Sequence, residues 1–169
     1  MSFECKNPWA PTSLNKPFVR CGCCGPCIAH RQVQWKNRLY CEAATNPNWP
    51  LFMTLTYAPE NLPEDEKEAM HRLQLFNKRL RSAGYSIRYL YVTEKGGKNG
   101  RLHHHGVLWC DKLEGLKPSE IWALFAKHWK YGFVYAPYVR SAKSFAYVAK
   151  YIFKGSLNYC WSKRPMPGS

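Results

Sequence analysis

The chain has 169 residues and a formal net charge of +14, and this length predicts a single domain over residues 1–169 with a Cys-rich segment at 1–30. No apolar run approaches the roughly 18 residues of a membrane span, and the N-terminus lacks the apolar core of a secretory signal, so we expect a cytoplasmic protein with no membrane partner. So basic a chain, with eleven tyrosines and seven tryptophans on which unpaired bases could stack, favours a nucleic acid over a small-molecule substrate.

The first half of the chain predicts two helices and one strand. Pro26 suits the first turn of a helix over residues 26–44, along which apolar residues recur. Residues 51–57 are rich in β-forming side chains and predict a strand. A second helix is expected over residues 66–82, with Gly84 ending it.

The second half predicts a β-hairpin among helices. Strands over residues 87–94 and 102–109 flank a Gly-rich turn at 95–100. Three elements should follow: a helix over 119–130, a strand within 133–139 and a helix over 142–154 capped by Ser141. Strands joined by a hairpin and interspersed with helices indicate an α+β fold, a central antiparallel sheet covered by helices.

The hairpin carries a candidate metal site. Alternate residues of a strand share a face, so His103 and His105 should converge while His104 points away. A tight turn places Glu94 nearly opposite His103, on the same face. Two imidazoles and a carboxylate with open positions suit Mn²⁺ or Mg²⁺, although Zn²⁺ also fits chemically. A surface run of histidines is the competing interpretation, and the strand-like flanks disfavour it.

The last predicted helix carries two candidate nucleophiles. Its apolar stripe is Phe145, Val148, Ala149 and Ile152, and the opposite stripe is Lys143, Tyr147, Lys150, Tyr151 and Lys154. The two phenols therefore lie on the cationic face, where they do not serve as core packing. A phenol is a weak nucleophile at neutral pH, so a nearby charge such as Lys150 has to stabilise the phenolate or the phosphorane.

The cysteines near the N-terminus predict a second metal site. Eight cysteines in an intracellular chain indicate metal ligands before disulfides. Cys21, Cys24 and Cys27 have two residues between successive members, and Cys5 is the distant fourth. Such a Cys₄ set is typical of structural zinc, with Cys23 as an alternative to Cys24.

These motifs together resemble replication initiators of the HUH endonuclease superfamily, in particular the Rep proteins of small single-stranded DNA phages (microvirus and gokushovirus-like). The resemblance covers nearly the whole chain. It rests on the segments Cys5-Lys-Asn-Pro8, Arg20-Cys-Gly-Cys-Cys-Gly-Pro-Cys27, Phe52-Met-Thr-Leu-Thr-Tyr57, Val92-Thr-Glu94, Gly100-Arg-Leu-His-His-His-Gly106 and Tyr147-Val-Ala-Lys-Tyr-Ile152. The histidine motif departs from that family at His104, where a hydrophobic residue is usual.

The resemblance implies an HUH/RRM-like α-β sandwich and a metal-dependent, sequence-specific nick in single-stranded origin DNA, which can form a hairpin. A 5′-phosphotyrosine would form, and the free 3′-OH would prime rolling-circle synthesis in a bacterial host. The second tyrosine would serve termination and rejoining. No Walker-type loop is present, so unwinding would fall to a host helicase, and synthesis to a host polymerase.

Several points stay open at the level of sequence. Either tyrosine could attack first. A plasmid or transposon nuclease or a relaxase would share the chemistry, and a zinc-stabilised nucleic-acid-binding module would lack it. Basic residues expected near the DNA are Arg88, Arg101, Lys143 and Lys154.

Overall fold

The computed structural model describes residues 4–9, 19–96, 100–152 and 159–161, and the chain forms two compact units, residues 1–41 and 42–169. The helices among the described residues are α1 (Gly25–Thr45), α2 (Glu66–Ser82), α3 (Pro118–His128) and α4 (Ala142–Ile152). The strands are β1 (Leu51–Thr56), β2 (Ile87–Lys95), β3 (Leu102–Cys110), β4 (Val134–Tyr135) and β5 (Tyr159–Trp161). None of the described helices is both long and apolar enough to cross a membrane.

The strands form one antiparallel sheet in the order β4-β1-β3-β2-β5, which confirms the α+β class. The predicted hairpin is β2 and β3, and the predicted helix at 66–82 is α2 with the same bounds. The expected strand over 133–139 is shorter, because Pro137 has no N–H to donate to a ladder. The chain still follows β1 there, since Phe52 and Val139 donate to the carbonyls of Pro137 and Pro50 at 2.9 and 2.8 Å.

One face of the sheet packs on α2 and α3 and holds the main core. Alternate residues of β1 point into it and are fully buried, and both helices contribute large apolar side chains: Leu51, Met53, Leu55, Leu73, Phe76, Leu80, Ile121 and Phe125. Gly106 of β3 lies opposite Tyr91 of β2 on this face. A Cβ at position 106 would lie 2.3 Å from Cδ1 of Tyr91, so glycine leaves room for that fully buried ring.

The other face is covered by α4, and we call it the α4 face. It carries the alternate residues Thr54, Thr56, Glu94, His103, His105 and Trp109, as the strand registers require. The ring of Phe145 in α4 lies 6.4 Å from that of Trp109. Phe145, Val148 and Ala149 are all buried, so the predicted apolar stripe of α4 is the one that packs. The helix begins at a serine cap, since Ser144 N–H donates to Oγ of Ser141 at 3.1 Å.

Candidate metal centre and tyrosine helix

Glu94, His103 and His105 come together on the α4 face. The antiparallel register sets Glu94 directly opposite His103, as the hairpin predicted. Oε1 of Glu94 lies 3.3 Å from Nε2 of His103 and 3.4 Å from Nε2 of His105. One ligand atom from each residue therefore lies within 4.8 Å of the others, close enough for all three to bind one cation.

The outer nitrogen of each imidazole has a partner that orients the ring. Nδ1 of His103 lies 3.2 Å from the carbonyl oxygen of Arg101, which only accepts, so Nδ1 carries the proton and Nε2 keeps its lone pair. Nδ1 of His105 lies 3.0 Å from Oγ1 of Thr54, its cross-strand neighbour. Such second partners fix the ring orientation in metal sites. The donor set thus fits a cation on the inner side of the two rings.

Burial keeps His105 neutral at physiological pH. Loss of solvent, with a smaller effect from His103, lowers the pKa of His105 from 6.5 to about 4. A metal ligand has to be the neutral imidazole. The site can therefore accept a cation without first losing a proton from this ring.

His104 points to the core face, as alternation predicted, and it is fully buried there. Its Nε2 lies 2.7 Å from Oη of Tyr57, and its Nδ1 lies 2.8 Å from Oγ1 of Thr93. Oη of Tyr57 also donates to the carbonyl of Ala69 at 3.3 Å. Nε2–H therefore donates to Tyr57 and Thr93 donates to Nδ1, which satisfies both nitrogens of a neutral ring. Burial, then the charges of the flanking histidines, lowers the pKa of His104 to about 3.

The exposed side of α4 carries the residues expected there. Tyr147 is 71% exposed, and Lys143 and Lys150 are exposed as well. Tyr151 lies in the last turn of α4, and its side chain is outside the described part of the structure. Phenol and ammonium groups thus share the solvent side of the helix that covers the metal-binding face.

The family model for the replication-associated protein ORF2 family matches residues 50–156, more than half of the chain. The chain belongs to this family. No curated protein and no solved structure matches it. The matched range of this replication-associated protein contains the whole Glu94–His103–His105 triad and both tyrosines of α4.

The predicted DNA contacts have different surroundings. Nε and Nη2 of Arg88 lie 2.6–3.1 Å from the carboxylate of Glu42, so this guanidinium is engaged within the protein. Arg101 is exposed and lines a cleft beside His103. Lys143 is exposed on α4, and Lys154 lies outside the described residues.

Outside the matched range, four cysteines of the first unit converge. They are the predicted set Cys5, Cys21, Cys24 and Cys27, whose sulfurs lie within 4.8 Å of one another. Cys23 is exposed and outside this group, which decides between it and Cys24. The sulfurs of Cys21 and Cys27 are 3.9 Å apart, and those of Cys24 and Cys5 are 4.0 Å apart. Backbone N–H groups of Cys23 and Cys24 lower the pKa of Cys21 to about 5, which favours a thiolate.

Sequence reasoning missed the residues that support the triad. Thr54, which bonds to His105, and Thr93 and Tyr57, which hold His104, carry no motif of their own. The available signal was the strand register, because Thr54 lies opposite His105 and Thr93 opposite His104. The hairpin register was predictable, whereas the pairing of β1 with β3 joins residues about fifty positions apart.

Proposed function

We propose that this replication-associated protein is an HUH-type endonuclease that nicks single-stranded DNA with a tyrosine of α4 and starts rolling-circle replication. The observation that carries the proposal is the convergence of Glu94, His103 and His105 on the face that α4 covers. Phosphodiester cleavage by a phenol needs a charge-neutralising site and a nucleophile on one side of the molecule. The net charge of +14 suits a polyanionic strand as substrate.

The triad would hold Mn²⁺ or Mg²⁺. Three ligands leave positions open for water and substrate oxygen, as hard cations prefer. A bound divalent cation would neutralise a non-bridging phosphate oxygen as negative charge grows in the transition state. The protein contributes two oriented neutral imidazoles and one carboxylate, with Thr54 and the Arg101 carbonyl fixing the rings.

The reaction is a transesterification without net oxidation. The phenol of Tyr147 or Tyr151 loses its proton, and its oxygen forms a bond to phosphorus. The bond from phosphorus to the 3′ oxygen breaks, and that oxygen takes up a proton. The products are a 5′-phosphotyrosine and a free 3′-OH, so the bond energy is kept for rejoining.

Lys150 is placed to support this step. It follows Tyr147 by three residues on the same exposed side of α4, and residues so spaced are neighbours on a helix. Its ammonium group would stabilise the phenolate or the charge on the phosphorane. Two tyrosines one turn apart allow one to hold the 5′ end while the other cuts again, which termination requires.

For the cysteine cluster we propose structural zinc. Four sulfurs bound at about 2.3 Å in a tetrahedron lie roughly 3.8 Å apart, close to the two separations of 3.9 and 4.0 Å. The cluster joins Cys5 to the start of α1, where the described chain has little regular structure of its own. Zinc there would stabilise the first unit and take no part in the nick.

The proposal is tested with single-stranded 40-mers that have a randomised centre and a fluorophore at the 3′ end. After incubation with Mn²⁺, nicking leaves the labelled fragment on the protein, so a fluorescent protein band appears on a denaturing gel. EDTA should abolish the band. The double variant Tyr147→Phe/Tyr151→Phe should abolish it too, whereas Tyr40→Phe, an exposed tyrosine of α1, should not.

Two results would exclude the nuclease. One is a full yield of labelled protein from the double variant. The other is strong binding of the 40-mers by the wild type with no labelled band in Mn²⁺, which would favour the non-catalytic binding module.

A further inference from the structure

A cleft of about 520 Å³ opens beside the triad, and His103 is part of its wall. Thr56, Gly96, Arg101 and Phe133 also line it. We propose that this cleft holds one unpaired DNA base, stacked on the ring of Phe133, with the adjoining phosphate facing Arg101. The inference rests on the proposed function in that the strand held here is the one to be nicked.

The backbone at Phe133 is held in a fixed place although its side chain is exposed to solvent. Its N–H donates to the carbonyl of Thr56 at 3.1 Å, and its carbonyl accepts from Thr56 N–H at 3.0 Å. The preceding Gly132 approaches β1 so closely that a Cβ there would lie 2.3 Å from the Thr56 oxygen. The ring is therefore presented by a rigid edge of the sheet, so stacking on it orders little backbone.

Register places this ring in line with the metal ligands. Thr56 pairs with His103, and His103 pairs with Glu94, while Phe133 pairs with Thr56 through both backbone bonds. Directly opposed residues share a face, so the four side chains form a row across the α4 face. Neighbouring strands lie about 4.8 Å apart, so the backbones of Phe133 and His103 are roughly 10 Å apart. A strand with its phosphate at the triad brings an adjoining base to Phe133.

The chemistry of the row suits a base and disfavours an apolar partner. Phe133 is 73% exposed, the highest value among the large apolar side chains of the described residues. It stands beside Arg101, which is exposed, and a cation next to a ring face is the usual pairing in single-strand binding sites. A phenyl ring has no hydrogen-bonding group, so this position should accept any base. The neighbouring Tyr135 has its ring 5.4 Å from that of Trp122 and is the less available of the two.

The test compares two fluorescein-labelled 12-mers, oligothymidylate and the same chain with abasic sites, by anisotropy in EDTA so that no strand is cut. The wild type should prefer the thymidylate chain. Phe133→Ala should weaken binding of that chain at least about fivefold, the usual effect of losing one stacked base, and should hardly change binding of the abasic chain. Phe133→Tyr should bind as the wild type does. Trp49→Ala is the matched control, because Trp49 is 57% exposed at the opposite end of β1.

Salt dependence separates the two roles in the cleft. Phe133→Ala should leave the slope of log K against log salt unchanged, whereas Arg101→Ala should reduce its magnitude by about 0.7, the value for one phosphate of a single strand. Wild-type binding that ignores the bases, or a Phe133→Ala variant that binds like the wild type, would overturn the base site. Because no cleavage is involved, failure of the nuclease assay leaves this result standing. Normal nicking by a variant with no base preference would remove only the base site.

Discussion

Replacing His104 by leucine should destabilise the sheet, although leucine restores the apolar character usual at this motif position. His104 is fully buried and bonds to Tyr57 and Thr93 at 2.7 and 2.8 Å. Each buried hydrogen bond contributes about 1 kcal/mol. We therefore expect a loss of about 2 kcal/mol in the free energy of unfolding, a large share of the roughly 5–15 kcal/mol that a domain has.

A double-mutant cycle with Tyr57→Phe tests the cause. Once His104 is leucine, removal of the Tyr57 hydroxyl should cost about 1 kcal/mol less than it does in the wild type, since their shared bond is already gone. Urea titration followed by tryptophan fluorescence measures this, because the ring of Trp129 lies 5.7 Å from that of His104. His71→Leu, on the exposed side of α2, should change stability by less than about 0.5 kcal/mol. Additive effects within about 0.3 kcal/mol would refute the hydrogen-bonded pair.

Three further predictions concern an ion pair and the two metal sites. Burial would raise the pKa of Glu42, but hydrogen bonds from Arg88 and Asn46 outweigh it and hold the pKa below 4.5; its stabilising effect is thus complete above pH 4.5 and lost as pH falls through the lower folded pKa. Glu42→Gln should then cost about 1–2 kcal/mol at pH 7 and little at pH 3, and a urea-measured difference equal at both pH values would contradict this. His105→Ala should weaken Mn²⁺ binding in calorimetry at least about tenfold while His71→Ala leaves it unchanged, and equal affinities would count against the triad. Cys27→Ser should remove the zinc found by elemental analysis, whereas exposed Cys23→Ser should retain it; loss from both, or from neither, would exclude the Cys₄ assignment.

The local parts of the site were predictable because they depend on short-range geometry. Hairpin pairing and strand alternation follow from neighbouring residues, so the convergence of Glu94 with His103 and His105 and the opposite direction of His104 could be foreseen. The apolar stripe of α4 likewise follows from helical periodicity. In each case a one-residue error would have moved a side chain to the other face, so the motif spacing was sufficient.

Features that join distant parts of the chain were not predictable. The three-residue strand β5 is too short to give a periodic signal, and it exists through its pairing with β2. Arg88 was expected at the DNA, but a carboxylate 46 residues away holds its guanidinium. The exposure of Phe133 depends on the edge position of β4, which the sheet order determines. A strand order cannot be read from one sequence when the crossing connections are helices.

The most direct test of the account is to locate the nucleotide on the protein. The labelled adduct formed with Mn²⁺ is digested with protease and nuclease, and mass spectrometry identifies the residue that carries the phosphodiester. We expect it on Tyr147 or Tyr151, and we expect no adduct from His103→Ala protein. A modified residue outside α4, or cut DNA whose new 5′ end is never attached to protein, would contradict the central claim.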